Sequence, residues 1–373
     1  MKLIYADYAA ATPTDSRVVE AMKLSQIAEF GNPSSVHSFG HAAFTAVDEA
    51  TQTIAKFLNT TTGEVTYCSC GTESNNLAIL GVAKANKDRG RHIITTTIEH
   101  PSIINACRAL EKDGWKVTYL PVTSGGLVAP DSLKKVLKQD TVLVSIHLAN
   151  SEIGVVQNVS VLSKIAKEHG AYFHSDACQA GSYLNLDVEK LGVDLLTFNG
   201  SKMYGPKGIA VLYVREGVQI FPILYGGGQQ NSLRSGTENV PGIVGLAVAC
   251  TVATTQRQLD YQKVESLRNQ LQNDLTDINC QVNAITSPRL PNHLSVIVPT
   301  TETNPVSALD RLGVATSAGS ACSSRSISQS QVLQAIGLDS DQSNRVLRIT
   351  LGRQTTTADV AAVALAVKKL ISD

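Results

Sequence analysis

The sequence has no excess of charge of either sign. Its 373 residues include 32 Lys plus Arg and 32 Asp plus Glu, so the formal net charge is zero. No block of basic residues stands out along the chain. Proteins that bind nucleic acid or anionic membranes usually carry such a basic patch. The balance therefore argues against direct binding to nucleic acid or to a membrane surface.

Long apolar runs are missing too. No window approaches the roughly 20 apolar residues that a transmembrane helix needs. The first segment, MKLIYADYAAATP, has one lysine and a short apolar run interrupted by Asp7. That pattern is unlike a secretory signal. We therefore expect a cytoplasmic protein.

Paired cysteine motifs are also absent. The cysteines are odd in number and scattered, at positions 68, 70, 107, 178, 250, 280 and 322. Without a secretory signal, this pattern favours reduced thiols over a disulfide framework. Cys68 and Cys70 lack the spacing of a zinc site and have no second pair nearby, so no metal site is expected.

Residues 64–214 alternate short β-rich runs with helical ones. The β-rich runs, such as TVLVSIHLA and AYFHSDA, are continuous rather than alternating in polarity. Such runs are typical of strands covered on both faces, which predicts an α/β fold with a mostly parallel sheet between helices. A long helix over about 240–277 follows and leads to a smaller α+β unit with strands near 293–299 and 345–351.

Ligands of parallel sheets bind at the carboxyl ends of the strands, so the motifs just past strands are the candidates for a binding site. In SCGTESNN (69–76), Thr72 at a helix start could bind an anion, although Thr72 with Glu73 also fits ordinary helix capping. In IEHPS (98–102), His100 could stack on a planar ligand or carry protons. A histidine hydrogen-bonded within a loop fits equally well.

Two further motifs carry charged side chains. In AYFHSDACQ, Asp176 ends a strand and could bind a ring nitrogen, a ribose or a metal, or could simply cap the next turn. In TFNGSKMYGPKG, Lys202 could form a Schiff base if it points into a dry cleft. Together, a lysine, an acid, a phosphate cup and a stacking ring are what pyridoxal phosphate requires. No GxGxxG turn follows the first strand, so a dinucleotide fits less well.

One serine-rich stretch stands apart from these motifs. Residues 317–330 read SAGSACSSRSISQS and contain Cys322. So polar a stretch predicts an exposed, mobile loop. An exposed cysteine is unusual, because free cysteine normally behaves as a small buried hydrophobe.

Many ordered motifs extend over nearly the whole chain: YADYAAATP, FGNPSSVHSFG, GTESNNLA, IEHP, SDACQ, YGPKG, LRSGTENVPGIVG, SAGSACSS and LRITLGRQTT. In this order they resemble the cysteine desulfurases of the NifS/IscS type, in the class-V aminotransferase family. The resemblance implies the fold-type I architecture, with a seven-stranded, mostly parallel sheet. It also implies a large cofactor-binding domain over 14–255 and a small domain formed by 1–13 and 256–373.

The resemblance also implies roles for single residues. Lys202 would bind pyridoxal phosphate covalently, Asp176 would pair with its ring nitrogen, and His100 would stack on the ring and carry protons. The cofactor's oxygens and phosphate would contact Gln179, Gly71, Thr72, Ser201, Ser151 and, from a second subunit of a homodimer, Thr237. Arg348, with Ser151, would bind the carboxylate of L-cysteine. Cys322 would take the sulfur and deliver it to an acceptor protein, for iron–sulfur clusters or thiolated tRNA and cofactors.

Some positions depart from the family pattern. Ser151 stands where relatives commonly have Asn, and Ser201 stands where they often have His before the lysine. We expect weaker substrate binding rather than loss of chemistry. Two alternatives remain open: a selenocysteine lyase or another class-V activity such as an aminotransferase, and a catalytically weak subunit that only relays sulfur.

Overall fold

The computed structural model describes residues 3–319 and 330–372. The strands are β1 (Ile4–Tyr5), β2 (Val65–Cys68), β3 (His92–Thr96), β4 (Lys116–Leu120), β5 (Thr141–Ser145), β6 (Tyr172–Asp176), β7 (Leu195–Asn199), β8 (Ala210–Val214), β9 (Gln281–Val282), β10 (His293–Ile297), β11 (Val314–Ala315) and β12 (Val346–Thr350).

The α-helices are α1 (Ser16–Ala28), α2 (Ser38–Leu58), α3 (Gly71–Asn76), α4 (Val82–Asn86), α5 (Pro101–Lys112), α6 (Pro130–Val136), α7 (Val159–Glu168), α8 (Val188–Leu191), α9 (Val240–Thr276), α10 (Pro305–Arg311), α11 (Gln331–Ala335), α12 (Ser340–Asn344) and α13 (Thr357–Ser372). A π-helical turn, Leu77–Gly81, makes α3 and α4 one continuous helical segment. Short 3-10 turns lie at Thr62–Glu64 and Gly200–Lys202.

Seven strands form the central sheet, in the order β2-β8-β7-β6-β5-β3-β4. Neighbouring strands are parallel except at β8, which runs antiparallel to both β2 and β7. Buried side chains on the two faces of the sheet contribute to two apolar clusters. The predicted α/β fold with a mostly parallel seven-stranded sheet between helices is confirmed.

A second core lies beyond the sheet. Strands β12, β10 and β9 form an antiparallel sheet, and β1 pairs with β11. Their apolar side chains pack with residues of α10 and α13 and with the last turns of α9. We propose that this core is the small domain. The assignment of 1–13 and 256–373 to it would place the domain boundary inside a helix, because α9 is continuous from Val240 to Thr276.

Helix α9 belongs to both cores. Near its start, Ile243, Leu246 and Cys250 pack in the core of the central sheet. Near its end, Leu271 and Leu275 pack in the second core. At 1.5 Å per residue, 37 residues extend over about 55 Å. Among the helices of the described ranges, none combines the length and hydropathy that crossing a lipid bilayer requires.

Candidate active site

A cavity opens at the carboxyl ends of β5, β6 and β7. Its lining includes five of the residues that the sequence singled out: His100, Ser151, Asp176, Gln179 and Lys202. The parallel strands explain this clustering, because the residues that follow them meet at one edge of the sheet. Residues far apart in sequence thus form one site.

Asp176 is the last residue of β6, and only 8% of it is exposed. Its Oδ1 accepts a hydrogen bond from the Cys178 N–H at 2.9 Å, and its Oδ2 accepts one from Asn75 Nδ2 at 2.7 Å. Burial opposes its ionisation, but the charge of His100 and these hydrogen bonds outweigh burial and lower the pKa of Asp176. No lysine or arginine within the described ranges forms an ion pair with it. A buried carboxylate of this kind suits a cationic ligand atom.

His100 caps α5 and lies at the rim of the cavity. Its Nδ1 accepts a hydrogen bond from the Ser102 N–H at 3.1 Å, which leaves Nε2 as the protonated nitrogen of the neutral ring. Burial is the main cause that lowers the pKa of His100, and the nearby charge of Lys202 adds to it. A neutral imidazole at pH 7 can stack on a ring or accept a proton.

Asn75 connects these two residues, and the sequence did not identify it. Its Nδ2 donates to Asp176 Oδ2 and also, at 2.9 Å, to Ser102 Oγ. Ser102 Oγ in turn lies 2.8 Å from His100 Nδ1. One buried amide therefore fixes the orientation of both the carboxylate and the imidazole. Its place in SCGTESNN, just past β2, was the only signal that could have indicated it.

Lys202 ends the 3-10 turn after β7 and lines the cavity with its side chain half-buried. Its ammonium group has no hydrogen-bond or ion-pair partner among residues 3–319 and 330–372. The preceding Ser201 donates weakly from Oγ to Asn199 Oδ1, at 3.4 Å. The lysine is thus held by backbone geometry, while its amine remains available for a ligand.

Gly71 and Thr72 open the helical segment that begins beside the cavity. A Cβ atom on Gly71 would lie 2.6 Å from Cys178 Sγ, so only glycine fits at this close approach. Thr72 is exposed, and its hydroxyl has no hydrogen-bond partner among the described residues. The capping alternative for Thr72 is therefore wrong. Glu73 instead accepts from the Ser69 N–H, at 2.7 Å.

Gln179 and Ser151 line the cavity, whereas Arg348 belongs to the second sheet and reaches the cavity lining through its contact with Ser151. Gln179 donates from Nε2 to the carbonyl oxygen of Ala9 at 3.1 Å. The carbonyl oxygen of Ser151 accepts a hydrogen bond from Arg348 Nη1 at 3.0 Å. Arg348 lies on β12 and is only 2% exposed. Ser151 therefore contacts the arginine through its backbone, whatever its side chain.

Thr237 does not join this cavity. It is exposed and lines a separate cavity with residues such as Tyr67, Gln230 and Arg234. Arg234 pairs with Glu73 at 2.7 Å, which ties this region to the start of α3. Within one chain, Thr237 thus lines a different cavity from His100, Asp176, Gln179 and Lys202.

Cys322, the predicted sulfur acceptor, lies outside the described residues. Among the other cysteines, Cys70 is exposed and the rest are buried. Burial raises the pKa of Cys68 and Cys107 to about 12 and that of Cys280 to about 11. It also raises the pKa values of Cys178 and Cys250. These five thiols stay protonated near pH 7 and are poor nucleophiles.

His147 also lines the cavity, and the sequence analysis missed it. It follows β5, as Asp176 ends β6, so its place past a strand was the available signal. Its Nδ1 lies 3.1 Å from Glu99 Oε1. The two residues are 48 positions apart, and only the order of β3 and β5 in the sheet brings them together.

Comparison with known proteins gives the family. The profile of the class-V aminotransferases matches residues 4–363. The chain belongs to the class-V aminotransferase family. The cysteine desulfurase IscS of Dictyoglomus turgidum is 44% identical over 362 residues, which cover 96% of this chain and 91% of that protein. Within the class-V family, the chain is therefore one of the cysteine desulfurases.

Two solved structures share the fold of this chain. A NifS-like protein superposes with a TM-score of 0.93 at 35% identity, over 99% of both chains. SspA in complex with cysteine superposes with a TM-score of 0.82 at 34% identity, over 95% of this chain and 100% of that one. The candidate site therefore lies in a fold that this chain shares with both proteins.

Class-V aminotransferases and cysteine desulfurases are families of pyridoxal phosphate enzymes, and the residues of the cavity fit that cofactor. A free lysine amine, an ionised and unpaired buried carboxylate, and a neutral imidazole lie in one lining. Gly71 adds a close backbone approach at a helix start, which favours a phosphate. No His/Cys/Asp/Glu cluster suited to a metal ion occurs in the described ranges.

Proposed function

We propose that this cysteine desulfurase converts L-cysteine to L-alanine with pyridoxal phosphate bound at Lys202, and that Cys322 takes the sulfur as a persulfide. The observation that supports the cofactor most strongly is Asp176, a buried carboxylate whose pKa is lowered although it has no lysine or arginine partner among the described residues. A protonated ring nitrogen would supply that partner. Lys202 and His100 lie in the same lining, where an aldehyde and a ring face would need them.

When bound, the cofactor supplies an electron sink for the bonds at the substrate's α-carbon. The chain's own residues position it and manage protons. Asp176 would pair with the ring nitrogen, and Gln179 would contact the ring oxygen. Gly71, Thr72 and Ser201 would hold the phosphate, together with Thr237 from the other subunit. Lys202 would carry the proton at the α-carbon, and His100 would transfer protons near the sulfur.

Arg348 and Ser151 would bind the carboxylate of L-cysteine. The guanidinium of Arg348 is fixed by the Ser151 carbonyl and Asp7, and a planar fork suits a carboxylate. Ser151 offers only a short hydroxyl where an amide would reach further. Losing a hydrogen bond to a charged group costs about 1.5–3 kcal/mol. We therefore infer weak substrate binding with unchanged chemistry.

Cys322 would complete the reaction as a nucleophile. Its thiolate attacks the substrate's sulfur, an S–S bond forms and the C–S bond breaks. The electron pair of the broken bond takes up a proton on the carbon that becomes the methyl group of alanine. The products are alanine and one persulfide, so atoms and electrons balance without an external oxidant. The five buried, protonated thiols support a cysteine elsewhere as the acceptor.

The persulfide would pass to an acceptor protein, either in iron–sulfur cluster assembly or in thiolation of tRNA and cofactors. A homodimer belongs to the same proposal, because Thr237 lies apart from the cavity of its own chain and would serve the neighbouring one. A reducing, cytoplasmic setting fits the free thiols of the described cysteines.

The decisive experiment incubates purified protein with L-cysteine and measures alanine, sulfide and the mass of the peptide that contains Cys322. We expect equal amounts of alanine and released sulfide under reductant, and one additional sulfur atom on that peptide before reduction. Cys322→Ser should keep the bound cofactor's absorbance and lose sulfide release. Cys280→Ala, which removes a thiol from the second core, serves as the control and should keep it.

The same assay separates the alternatives. Turnover of L-selenocysteine with none of L-cysteine would indicate a selenocysteine lyase, and a keto acid from an added amino acid would indicate transamination. No turnover of any substrate by cofactor-loaded protein would leave the sulfur-relay subunit. Normal sulfide release by Cys322→Ser would refute the assignment of the acceptor, and Cys70→Ser would then be tested.

A further inference from the structure

Glu99 and His147 form a buried pair at the back of the cavity. Glu99 is 5% exposed and His147 is 4% exposed. Besides the contact at Nδ1, the backbone N–H of His147 donates to both carboxylate oxygens of Glu99 at 3.1 Å. The Thr96 hydroxyl donates to Glu99 Oε1 at 2.8 Å. These contacts hold the Glu99 carboxylate against the imidazole and fix the orientation of the ring.

The other ring nitrogen of His147 lacks a partner. Nε2 is buried, yet none of the described residues forms a hydrogen bond with it. Buried polar atoms are nearly always hydrogen-bonded, so such an exception requires an explanation. His147 lines the cavity that holds Asp176 and Lys202. An unpartnered nitrogen in a ligand cavity indicates that the ligand supplies the partner.

His147 also lies beside Asp176. Strands β5 and β6 pair in register at Ser145 and His174. Their pairing continues past the strand end, since the Ile146 N–H donates to the His174 carbonyl at 3.0 Å and the Leu148 N–H donates to the Asp176 carbonyl at 2.9 Å. His147 and Asp176 are therefore neighbours on the same face of the sheet.

We propose that His147 is a positioning residue for the cofactor: held by Glu99 as an imidazolium, it donates from Nε2 to an acceptor atom of the cavity's occupant and places a fixed positive charge beside Asp176. The charge stabilises the carboxylate that pairs with the ring nitrogen. The positive charge of His147 also disfavours an additional proton on the bound cofactor. This inference rests on the proposed binding of pyridoxal phosphate.

The charged surroundings of His147 support the imidazolium. Burial alone lowers the pKa of His147, but the charge and hydrogen bond of Glu99 and the charge of Asp176 outweigh it, so its pKa is raised. The other titratable groups of the lining are His100, Lys202 and Cys178. Because the pKa is raised, the imidazolium persists to a higher pH than that of a free histidine.

The first test observes the proton directly. The protein is labelled with ¹⁵N-histidine, and His147 is assigned as the resonance that is lost in His147→Gln. At about pH 6.5, where an ordinary histidine is half protonated, we expect both ring nitrogens of His147 to be protonated in most molecules, with and without cofactor. A neutral ring in the folded wild-type protein would overturn the inference.

The second test titrates the visible absorbance of the cofactor bound at Lys202. Removing the positive charge should favour the protonated form, so the transition should move upward by one pH unit or more in His147→Gln, since at an effective dielectric constant near 20 two unit charges within about 12 Å of each other shift a pKa by that much. Glu99→Gln, in which the buried imidazole loses its carboxylate, should shift the transition in the same direction. An unchanged transition in both variants would also overturn the inference.

Two further variants separate the possible causes. His147→Met removes the donor as well as the charge and should weaken retention of the cofactor, whereas glutamine keeps an N–H donor and should retain it. His92→Gln is the control, because His92 is also buried but lies at the opposite edge of the sheet, where its ring bonds to Thr141 and Thr118. It should leave the titration unchanged.

Failure of this inference is distinguishable from failure of the proposed function. If no pyridoxal phosphate binds to the wild-type protein, the proposed function fails, while the histidine resonances still report the protonation of His147. If the cofactor binds and turnover is normal but His147 is neutral, only this inference fails. If a His147 variant does not fold, the cofactor titration of Glu99→Gln and the ¹⁵N-histidine resonances of the wild-type protein still test the inference.

Discussion

Arg348 Nη2 lies 2.6 Å from Asp7 Oδ1, and only 2% of the arginine side chain is exposed. Asp7 pairs with Thr350 in an isolated bridge that joins the start of the chain to β12. The guanidinium is thus neutralised from one side by Asp7 and fixed from the other by the Ser151 carbonyl. A substrate carboxylate would meet an arginine whose orientation is already set, which lowers the entropic cost of binding.

Arg348→Lys tests this preorganised fork. A lysine keeps the charge, but its single ammonium group cannot contact Asp7, the Ser151 carbonyl and a carboxylate with the geometry of a planar fork. Loss of 1.5–3 kcal/mol corresponds to an increase of about 10- to 150-fold in KM for L-cysteine. The cofactor's absorbance should be unchanged. A KM within twofold of wild type in steady-state kinetics would contradict the role of Arg348.

Ser151→Asn should have the opposite effect. A longer amide at this position can donate to the substrate carboxylate, and KM for L-cysteine should fall by about tenfold, for a gain of roughly 1.4 kcal/mol. Ser151→Ala is the matched control. Because the backbone carbonyl contacts Arg348, alanine should leave that contact intact and KM nearly unchanged. A large rise in KM for Ser151→Ala would show that the hydroxyl already binds substrate.

Lys202→Ala should abolish the visible absorbance that covalently bound pyridoxal phosphate gives. The cavity would keep Asp176, His100 and Gln179, so weak non-covalent binding is expected to remain. Spectra of protein dialysed against the cofactor measure both effects. Lys207→Ala, which changes an exposed lysine of the same YGPKG segment, should keep the absorbance. An unchanged spectrum in Lys202→Ala would remove that lysine from its proposed role.

Asp15→Asn should destabilise the fold in a pH-dependent way. Asp15 bonds Arg17 and Arg353, and the hydrogen bond from Arg17 is the main cause that lowers its pKa to about 2. Its stabilisation is therefore fully present above its unfolded pKa of about 3.9 and is lost as the pH falls through the folded value. Asparagine keeps the helix cap on α1, so the variant removes mainly the charge.

The expected loss is about 1–2 kcal/mol in the free energy of unfolding at pH 7, measured by urea denaturation. The difference from wild type should shrink as the pH is lowered below about 4. Glu20→Gln serves as the control, because the Glu20–Lys23 pair is exposed and should contribute under 1 kcal/mol. A constant difference between the two proteins at all pH values would contradict the proposed charge effect.

The sequence predicted most of the fold, because buried strands and amphipathic helices leave distinct patterns. The expected strand at 293–299 is observed as His293–Ile297, and the expected helix at 240–277 as Val240–Thr276. The direction of β8 was not predicted. The direction of a strand depends on the segment that connects it to its neighbour. Because β7 is joined to β8 through a short turn at Gly200–Lys202 instead of a crossover helix, β8 runs antiparallel to β7.

The candidate site was predicted in part. His100, Asp176 and Lys202 could be identified, since each follows a strand and carries a chemically informative side chain. Asn75 and His147 were not, because their importance comes from partners that only the strand order and register bring close. The exposed hydroxyl of Thr72 and the separate cavity of Thr237 likewise depend on tertiary geometry.

Helix α9 has a mechanical consequence for this site. Between its contacts with the two cores, residues 254–266 contain neither glycine nor proline, the usual causes of a sharp bend. Bending the helix there would break backbone hydrogen bonds, so it acts as a strut rather than a hinge. The strut holds the unit that bears Lys202 at a set spacing from the unit that bears Arg348. The spacing between the amine and the guanidinium is therefore set before any ligand binds.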